Sequence, residues 1–468
     1  MRPFEIILLI LDAVLLLWLL VSSRRPRYLL LIISIVTVLV LVIHLFTEGF
    51  RWQMIPAYLL TAGLLLAAWV QSRSQSERKR PAWRIAILFL LGFVILLLVA
   101  ALPVVLPVPN LPEPSGPYAI GTTTYHMVDG NREEIYGDDP GGDRELMMQV
   151  WYPAKPDSSA APAPYFDQLD VAASVLAERL GLPSFFLGHL NLVETHALID
   201  ALPVSEIEPF PLILFSHGLS GLRMQNTALF EELASNGYIV ASVDHTFDSV
   251  ITIMPDGRAI LHHVQTVMPE GVSTVLSGRQ LLGVRVQDLA TALAFLESMN
   301  LDPESFLHER IDLDKIGVMG HSTGGGTAIE FCAHSTQCQA VLVLDGWLEP
   351  VLEETLGQSL SQPSMFLSTN EWLGSENKAI GEMFINGQDR DSYQVTIDEM
   401  GHNNFTDIPL LTPIGAQIGL SGQINGARGV KILNEYSLAF FDRYLQNSDD
   451  PILEKIAEQY WEVSFESN

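Results

Sequence analysis

A chain of 468 residues is longer than one ordinary domain of roughly 100–200 residues. With 54 acidic against 26 basic residues its net charge is −28, which argues against nucleic acid as a partner. Two cysteines, Cys332 and Cys338, are too few for a disulfide-built scaffold and lack metal-ligand spacing.

The charge is unevenly placed. Residues 1–110 hold ten Lys/Arg and four acids, a balance of +6, which leaves −34 on the remainder. Such an acidic remainder reads as a solvated surface. The first 110 residues contain four apolar runs, Ile6–Val21, Tyr28–Phe46, Met54–Val70 and Ile85–Leu102. Each approaches the ~20 residues that cross a bilayer core. A cleaved signal peptide accounts for the first run alone. The linkers Ser22–Arg27 and Gln71–Arg84 are rich in basic residues, whereas Thr47–Gln53 carries one charge of each sign. The positive-inside rule then puts the first and third linkers in the cytoplasm. The expectation is a multi-pass cell-membrane protein with four spans, its N-terminus and everything beyond Pro107 extracytoplasmic. Trp52, Trp69 and Trp83 stand near run ends, as interfacial anchors do. Asp12 and His44 lie inside runs without obvious partners and read as groups packed against another helix.

Six prolines between Pro103 and Pro117 interrupt any helix and mark a domain boundary, so residues 111–468 form the second domain. Gly121–Tyr125 and Leu146–Tyr152 alternate like edge strands, with Asp138–Asp143 as a turn. Residues 155–209 lack strand alternation; they contain a helical Val171–Leu180 and read as a cap insertion or a helical decoration. From Pro211 strands and helices alternate, which implies a parallel sheet covered on both faces. The expected strands are Leu212–Phe215, Tyr238–Val243, Lys315–Met319, Gln339–Leu344, Ser364–Leu367 and Tyr393–Ile397. The expected helices are Leu222–Ser235, Leu282–Leu301 and Gly429–Leu445, and Pro255–Arg258 is a hairpin turn. The fold class is therefore α/β, a mostly parallel, doubly wound sheet behind a four-helix membrane segment.

The chemistry centres on Gly320-His-Ser-Thr-Gly324, a G-x-S-x-G between a strand and a helix. That context lifts a serine onto a sharp turn at the sheet's end, so Ser322 is the candidate nucleophile. A serine needs a base held by a third group. In a parallel sheet such groups converge at the carboxyl ends of strands. Asp345 ends the strand after the nucleophile helix, and His402 follows a later strand, giving the order Ser, Asp, His. Glu371 also follows a strand and precedes His402, so spacing alone leaves the acid open between Asp345 and Glu371. Asp244 and Asp248 are remoter choices. The oxyanion donors are the backbone N–H groups of Thr323 and, from the glycine-rich Phe215–Gly221 loop, Leu219. His217 reads as structural. Cys332 and Cys338 are either separate buried thiols or, in an extracytoplasmic domain, a bridge from the nucleophile helix to the next strand.

Taken together, Gln149-Val-Trp-Tyr-Pro153, Pro211–Leu219, Ile239–His245, Gly320–Gly325, Leu344-Asp-Gly-Trp347 and His402–Asp407 resemble the α/β-hydrolase family of secreted platelet-activating factor acetylhydrolases and their bacterial members. The resemblance spans most of residues 118–450. It implies Asp345 as the acid, ahead of Glu371, and Leu219 as an oxyanion residue. It also implies a calcium-independent serine esterase that cleaves short or oxidised acyl chains from phospholipids. Thr323 stands where the animal enzymes often carry an aromatic residue. The expected partners are a small-molecule or lipid ester and the membrane, with no metal or organic cofactor. Two rival readings are a general carboxylesterase or polyester hydrolase, and a non-catalytic, membrane-held binding protein on the same fold.

Overall fold

The computed structural model describes residues 1–21, 27–73, 81–157, 159–179, 181–205, 208–372, 374–448 and 452–467. The basic clusters of the first and third linkers, with Arg24, Arg25, Arg78, Lys79 and Arg80, lie outside the described residues. By internal contacts the chain divides into two units. One holds Met1–Asn110 with Ala173–Val193 and Leu411–Ile414; the other holds Leu111–Ala172, Glu194–Leu410 and Gly415–Asn468.

The first unit is built on helices α1 (Pro3–Val21), α2 (Arg27–Thr47), α3 (Ile55–Arg73) and α4 (Ala82–Val105). All four are long and apolar enough to cross a membrane. Their outer faces stay apolar, with Leu31, Leu59, Leu90 and Leu98 all exposed. Asp12 and His44 both have partners on neighbouring residues. Asp12 accepts from the Thr61 hydroxyl at 2.8 Å, and His44 bonds Glu48 at 2.8 Å and Tyr58 at 2.7 Å. Arg51, read from sequence as a loop charge, is buried and grips both carboxylate oxygens of Glu5 at 2.7 Å. Within the same unit the Trp52 indole donates to Phe186 O at 3.0 Å, and Thr412 donates to Val105 O at 2.6 Å.

The second unit is an α/β fold. In chain order it runs β1 (Ala119–Glu133), β2 (Asp143–Ala154), β3 (Pro162–Pro164), a helix α5 that begins in it (Leu169–Arg179), β4 (Glu194–Ile199), β5 (Phe210–Ser216), α6 (Thr227–Ser235), β6 (Ile239–Asp244), β7 (Ile251–Ile253) and β8 (Ala259–Leu261). Then follow α7 (Val264–Val267), α8 (Thr274–Leu301), β9 (Ile311–His321), α9 (Thr323–His334), β10 (Cys338–Leu344), α10 (Glu353–Leu356), β11 (Ser364–Ser368) and α11 (Ser375–Asn386). The chain closes with β12 (Ser392–Ile397), α12 (Ile408–Leu411), α13 (Gly426–Leu445), α14 (Ile452–Gln459) and β13 (Val463–Ser467).

Eleven of the described strands form one large sheet in the order β13-β12-β11-β10-β9-β5-β6-β2-β1-β4-β3, and β7 and β8 form a separate pair. From β12 to β6 the pairing is parallel. Parallel strands covered on both faces are apolar throughout, and every residue of β5 is buried. On one face Leu282, Leu289, Leu293 and Leu296 of α8 and Ile329 of α9 form the core. On the other, Phe230 and Leu233 of α6 meet Leu433, Phe440 and Phe441 of α13.

Two expectations are corrected. β1 and β2 are not edge strands, because β4 pairs in parallel with β1 and β3 closes that side. Part of the 155–209 stretch is therefore sheet: the Glu231 carboxylate accepts the N–H groups of His196 and Ala197 and fixes β4 despite its weak alternation. Pro255–Arg258 does turn a hairpin, β7 with β8.

Cys332 near the end of α9 is bonded to Cys338 at the start of β10, with Cα atoms 5.2 Å apart. Closing so short a loop contributes about 2 kcal/mol in the chain-entropy account. The Cys332→Ala/Cys338→Ala variant is expected to lose about 2 kcal/mol of unfolding free energy, read as a lower denaturant midpoint. Wild type denatured without reductant should show no free thiol by Ellman titration.

Candidate active site

β9 delivers Gly320 and His321 to a tight turn, and α9 begins one residue later, at Thr323. Between them Ser322 sits at φ 56°, ψ −120°, which non-glycine residues rarely adopt. The turn is held because its neighbours leave no alternative. A side chain at Gly320 would meet Gly324 O at 2.0 Å, and one at Gly324 would meet Ser216 O at 1.9 Å. Both obstacles are backbone, so neither position accepts a β-carbon. Ser322 O accepts from Gly325 N at 2.9 Å and Trp347 N at 2.8 Å, which ties the turn to the chain leaving β10.

Asp345 follows β10 and is fully buried, also at positive φ (44°). Its Oδ1 accepts Thr369 N–H at 2.9 Å from the end of β11. Its Oδ2 lies 2.5 Å from His402 Nδ1. The short bond and the acceptor-only carboxylate assign the proton to Nδ1, leaving Nε2 as the free base. The His402 side chain is 32% exposed and Asp345 is not exposed at all. The imidazole is therefore open to solvent and its carboxylate partner is not.

His321, immediately before Ser322, packs against His402 with ring centroids 4.6 Å apart and the planes tilted by 33°. Its Nε2 donates to His402 O at 3.1 Å, and its Nδ1 accepts from Gln225 Nε2 at 3.3 Å. Burial and the neighbouring His402 push its pKa well below that of a free imidazole. A neutral ring thus fixes the His402 backbone beside the candidate nucleophile. The sequence reading missed this role; the signal was its place inside the motif itself.

Glu371 is exposed and lines a cleft of about 400 Å³ with Thr369, Gly401 and the edges of Asp345 and His402. The geometry brings Asp345, not Glu371, to the imidazole. Asp244 is engaged elsewhere, accepting Arg223 N–H at 2.7 Å, and Asp248 pairs with Arg285. Thr323 heads α9, whose N-terminal N–H groups favour an anion. Leu219 follows Gly218, where an added β-carbon would lie 3.3 Å from Ser322 Cβ. Thr323 thus follows Ser322 directly, and the Gly218 that precedes Leu219 abuts it.

A second Ser-His-Asp arrangement lies beneath. Ser216 Oγ is 2.8 Å from His245 Nε2, and His245 Nδ1 is 2.9 Å from Asp288. All three are fully buried, so no substrate reaches them. Burial opposes charge on Asp288, yet Arg144 at 2.8 Å outweighs it and holds the carboxyl well below its usual range. Burial and nearby Arg285 lower His245 to about 4. His217 is likewise held neutral; Nε2 accepts His245 N–H at 3.2 Å and Nδ1 faces Gly218 O at 2.6 Å. It is structural, as expected. Arg285 and Asp288 interrupt the apolar face of α8, a pattern that could have flagged the network.

Because His245 is neutral when folded and takes a proton when unfolded, its contribution is complete above pH 6.5 and is lost as pH falls towards 4. Thermal melts between pH 7 and 4 should therefore decline more steeply for wild type than for His245→Gln.

Three comparisons bear on this geometry. Residues 106–455 match the family model described as platelet-activating factor acetylhydrolase, isoform II. A platelet-activating factor acetylhydrolase of Cavia porcellus is 26% identical over 361 residues, 72% of this chain and 78% of that one. A probable 1-alkyl-2-acetylglycerophosphocholine esterase of Arthroderma benhamiae is 24% identical, covering 76% and 93%. The solved ferulic acid esterase of Streptomyces cinnamoneus superposes with a TM-score of 0.63 at 28% identity, over 76% of this chain and 99% of that one.

Proposed function

The chain belongs to the platelet-activating factor acetylhydrolase family and is an esterase of the α/β-hydrolase fold; from that premise we propose a membrane-anchored serine esterase that cleaves short or oxidised acyl chains from phospholipids. Ser322 Oγ attacks the ester carbonyl while His402 Nε2 takes its proton. Asp345 keeps Nδ1 protonated and stabilises the imidazolium. The N–H groups of Leu219 and Thr323 hold the tetrahedral oxyanion. Collapse expels the alcohol with the proton from His402 and leaves an acyl-Ser322. Water, deprotonated by the same histidine, then releases the acid and restores the serine.

The observation that carries this reading is the 2.5 Å His402–Asp345 bond beside a serine at φ 56°. The domain division of the reading is 1–110 as membrane anchor and 111–468 as hydrolase. Anchoring is supported by the four apolar helices. An extracytoplasmic catalytic domain is supported by the basic linkers and by the Cys332–Cys338 bond, which suits an oxidising compartment. A general carboxylesterase is the second reading, favoured by the ferulic acid esterase likeness.

The test is hydrolysis of a phosphatidylcholine with an sn-2 acetyl group, of its long-chain counterpart and of p-nitrophenyl butyrate. The expected result is strong preference for the acetyl phospholipid over the long-chain one. Ser322→Ala should lose about 10⁶-fold and Asp345→Asn about 10⁴-fold in kcat, and Glu371→Gln should stay within about threefold. Turnover of the soluble ester alone would favour the second reading. Loss in Glu371→Gln with Asp345→Asn active would reassign the acid.

A further inference from the structure

The long helix α8 carries an arginine where its buried stripe is otherwise mostly apolar. Arg285 is fully buried, between Leu281 and Leu282 on one side and Leu289 on the other. Burying a guanidinium is costly, and an apolar side chain would fill the same space without that cost. Its charge is balanced by Asp248, whose Oδ2 accepts Arg285 Nε at 2.6 Å. Nη2 also pairs with Asp248, and the two Nη atoms donate to the end of β5 and the loop that follows it. Nη1 donates to His217 O and, at 3.3 Å, to Ser216 Oγ; Nη2 donates to Gly218 O at 3.2 Å.

We infer that Arg285 is a positioning residue for the oxyanion hole, acting through the Gly218–Leu219 peptide. The inference rests on the serine-esterase reading. Its physical basis is the peptide group itself. A trans peptide is planar, and its C=O and N–H point in opposite directions; the described chain contains no cis bond. Fixing Gly218 O therefore fixes Leu219 N–H. Three donors meet at that oxygen: Arg285 Nη2, Gly221 N–H at 2.9 Å and His217 Nδ1 at 2.6 Å. All of them approach from the carbonyl end, which leaves the N–H end directed away from the buried network. Gly218 itself abuts the nucleophile turn, since a β-carbon there would lie 3.0 Å from His321 Nδ1 and 3.3 Å from Ser322 Cβ.

The cation does more than orient. A charge-assisted bond to a carbonyl polarises the whole amide, and a polarised N–H is a stronger donor. Such preorganised dipoles need no rearrangement when charge develops on the substrate oxygen. The fixed positive charge also lies on the side of the loop remote from solvent, where it is little screened. Asp248 balances that charge. Its own peptide is part of the turn after β6, held by the bonds of Asp248 N and Ser249 N to His245 O at 2.9 and 2.7 Å.

The test uses the full-length protein in detergent. Folded sites are counted by exhaustive fluorophosphonate labelling, and rates are expressed per labelled site. The charge-balanced variant Arg285→Gln/Asp248→Asn avoids an orphaned buried carboxylate. Arg285→Lys keeps the ion pair, and with it the fold, but cannot span two carbonyls. The substrates are p-nitrophenyl acetate and its thionoester, whose C=S sulfur is a poor hydrogen-bond acceptor. The expected result is a fall in kcat on the oxygen ester of about 10²-fold for the double variant and about tenfold for Arg285→Lys, with KM within threefold. The oxygen-to-sulfur ester rate ratio should fall by at least about tenfold, because only the oxygen ester uses the hole fully. Rates per labelled site within threefold of wild type for both variants would overturn the inference. So would equal losses on both esters. A wild type that hydrolyses neither ester contradicts the esterase reading and removes this inference with it.

Discussion

Everything at the candidate site depends on how closely three stretches of backbone approach one another. The end of β5, the turn after β9 and the first turn of α9 meet with no room for a β-carbon at Gly320 or Gly324. That crowding sets the unusual backbone of Ser322, and strained conformations persist only where the surroundings over-determine them. Here the surroundings are the most buried strands of the sheet. The rigid part of the molecule thus holds the strain, and the serine sits on the crest of it.

The groups around Ser322 inherit their positions from the same sheet. Asp345 and Thr369 come from the ends of adjacent parallel strands, so the Thr369 N–H and the Asp345 carboxylate meet without a long loop. His402 arrives on a more irregular segment, and its placement is reinforced by His321, which neighbours the serine. Behind the loop at the end of β5 lies a different kind of support, a buried network of Arg285, Asp248, Asp288, Arg144 and two neutral histidines. Hydrophobic packing fixes the strands; this network fixes the peptide orientations of one loop.

Much of this was legible in the chain. Strand, G-x-S-x-G and helix fall where their local chemistry requires, because the glycines answer a purely local crowding. The parallel core strands were visible as short apolar runs, since both of their faces are covered. β3, β4 and β13 were not. They are short, and their pairing is decided by the neighbouring strand and by side chains such as Glu231 distant in sequence. The choice between Asp345 and Glu371 was closed to spacing, as both follow strands. The geometry distinguishes them by burial and by a 2.5 Å contact, properties that no count of intervening residues carries. Arg285 and Asp288 were hidden for a related reason: polar residues on an amphipathic helix are ordinarily assigned to solvent, and these are buried, Arg285 on Asp248 and Asp288 on Arg144 and His245.

The most direct measurement of the central claim is the identity of the residue that a fluorophosphonate modifies. The membrane-bound protein would be labelled, digested and mapped by mass spectrometry. The account predicts one stoichiometric adduct, on Ser322 within the peptide containing Gly320–Gly326, and its absence after prior inactivation of the enzyme. An adduct on any other serine, or an unmodified Ser322 in folded protein, would contradict it.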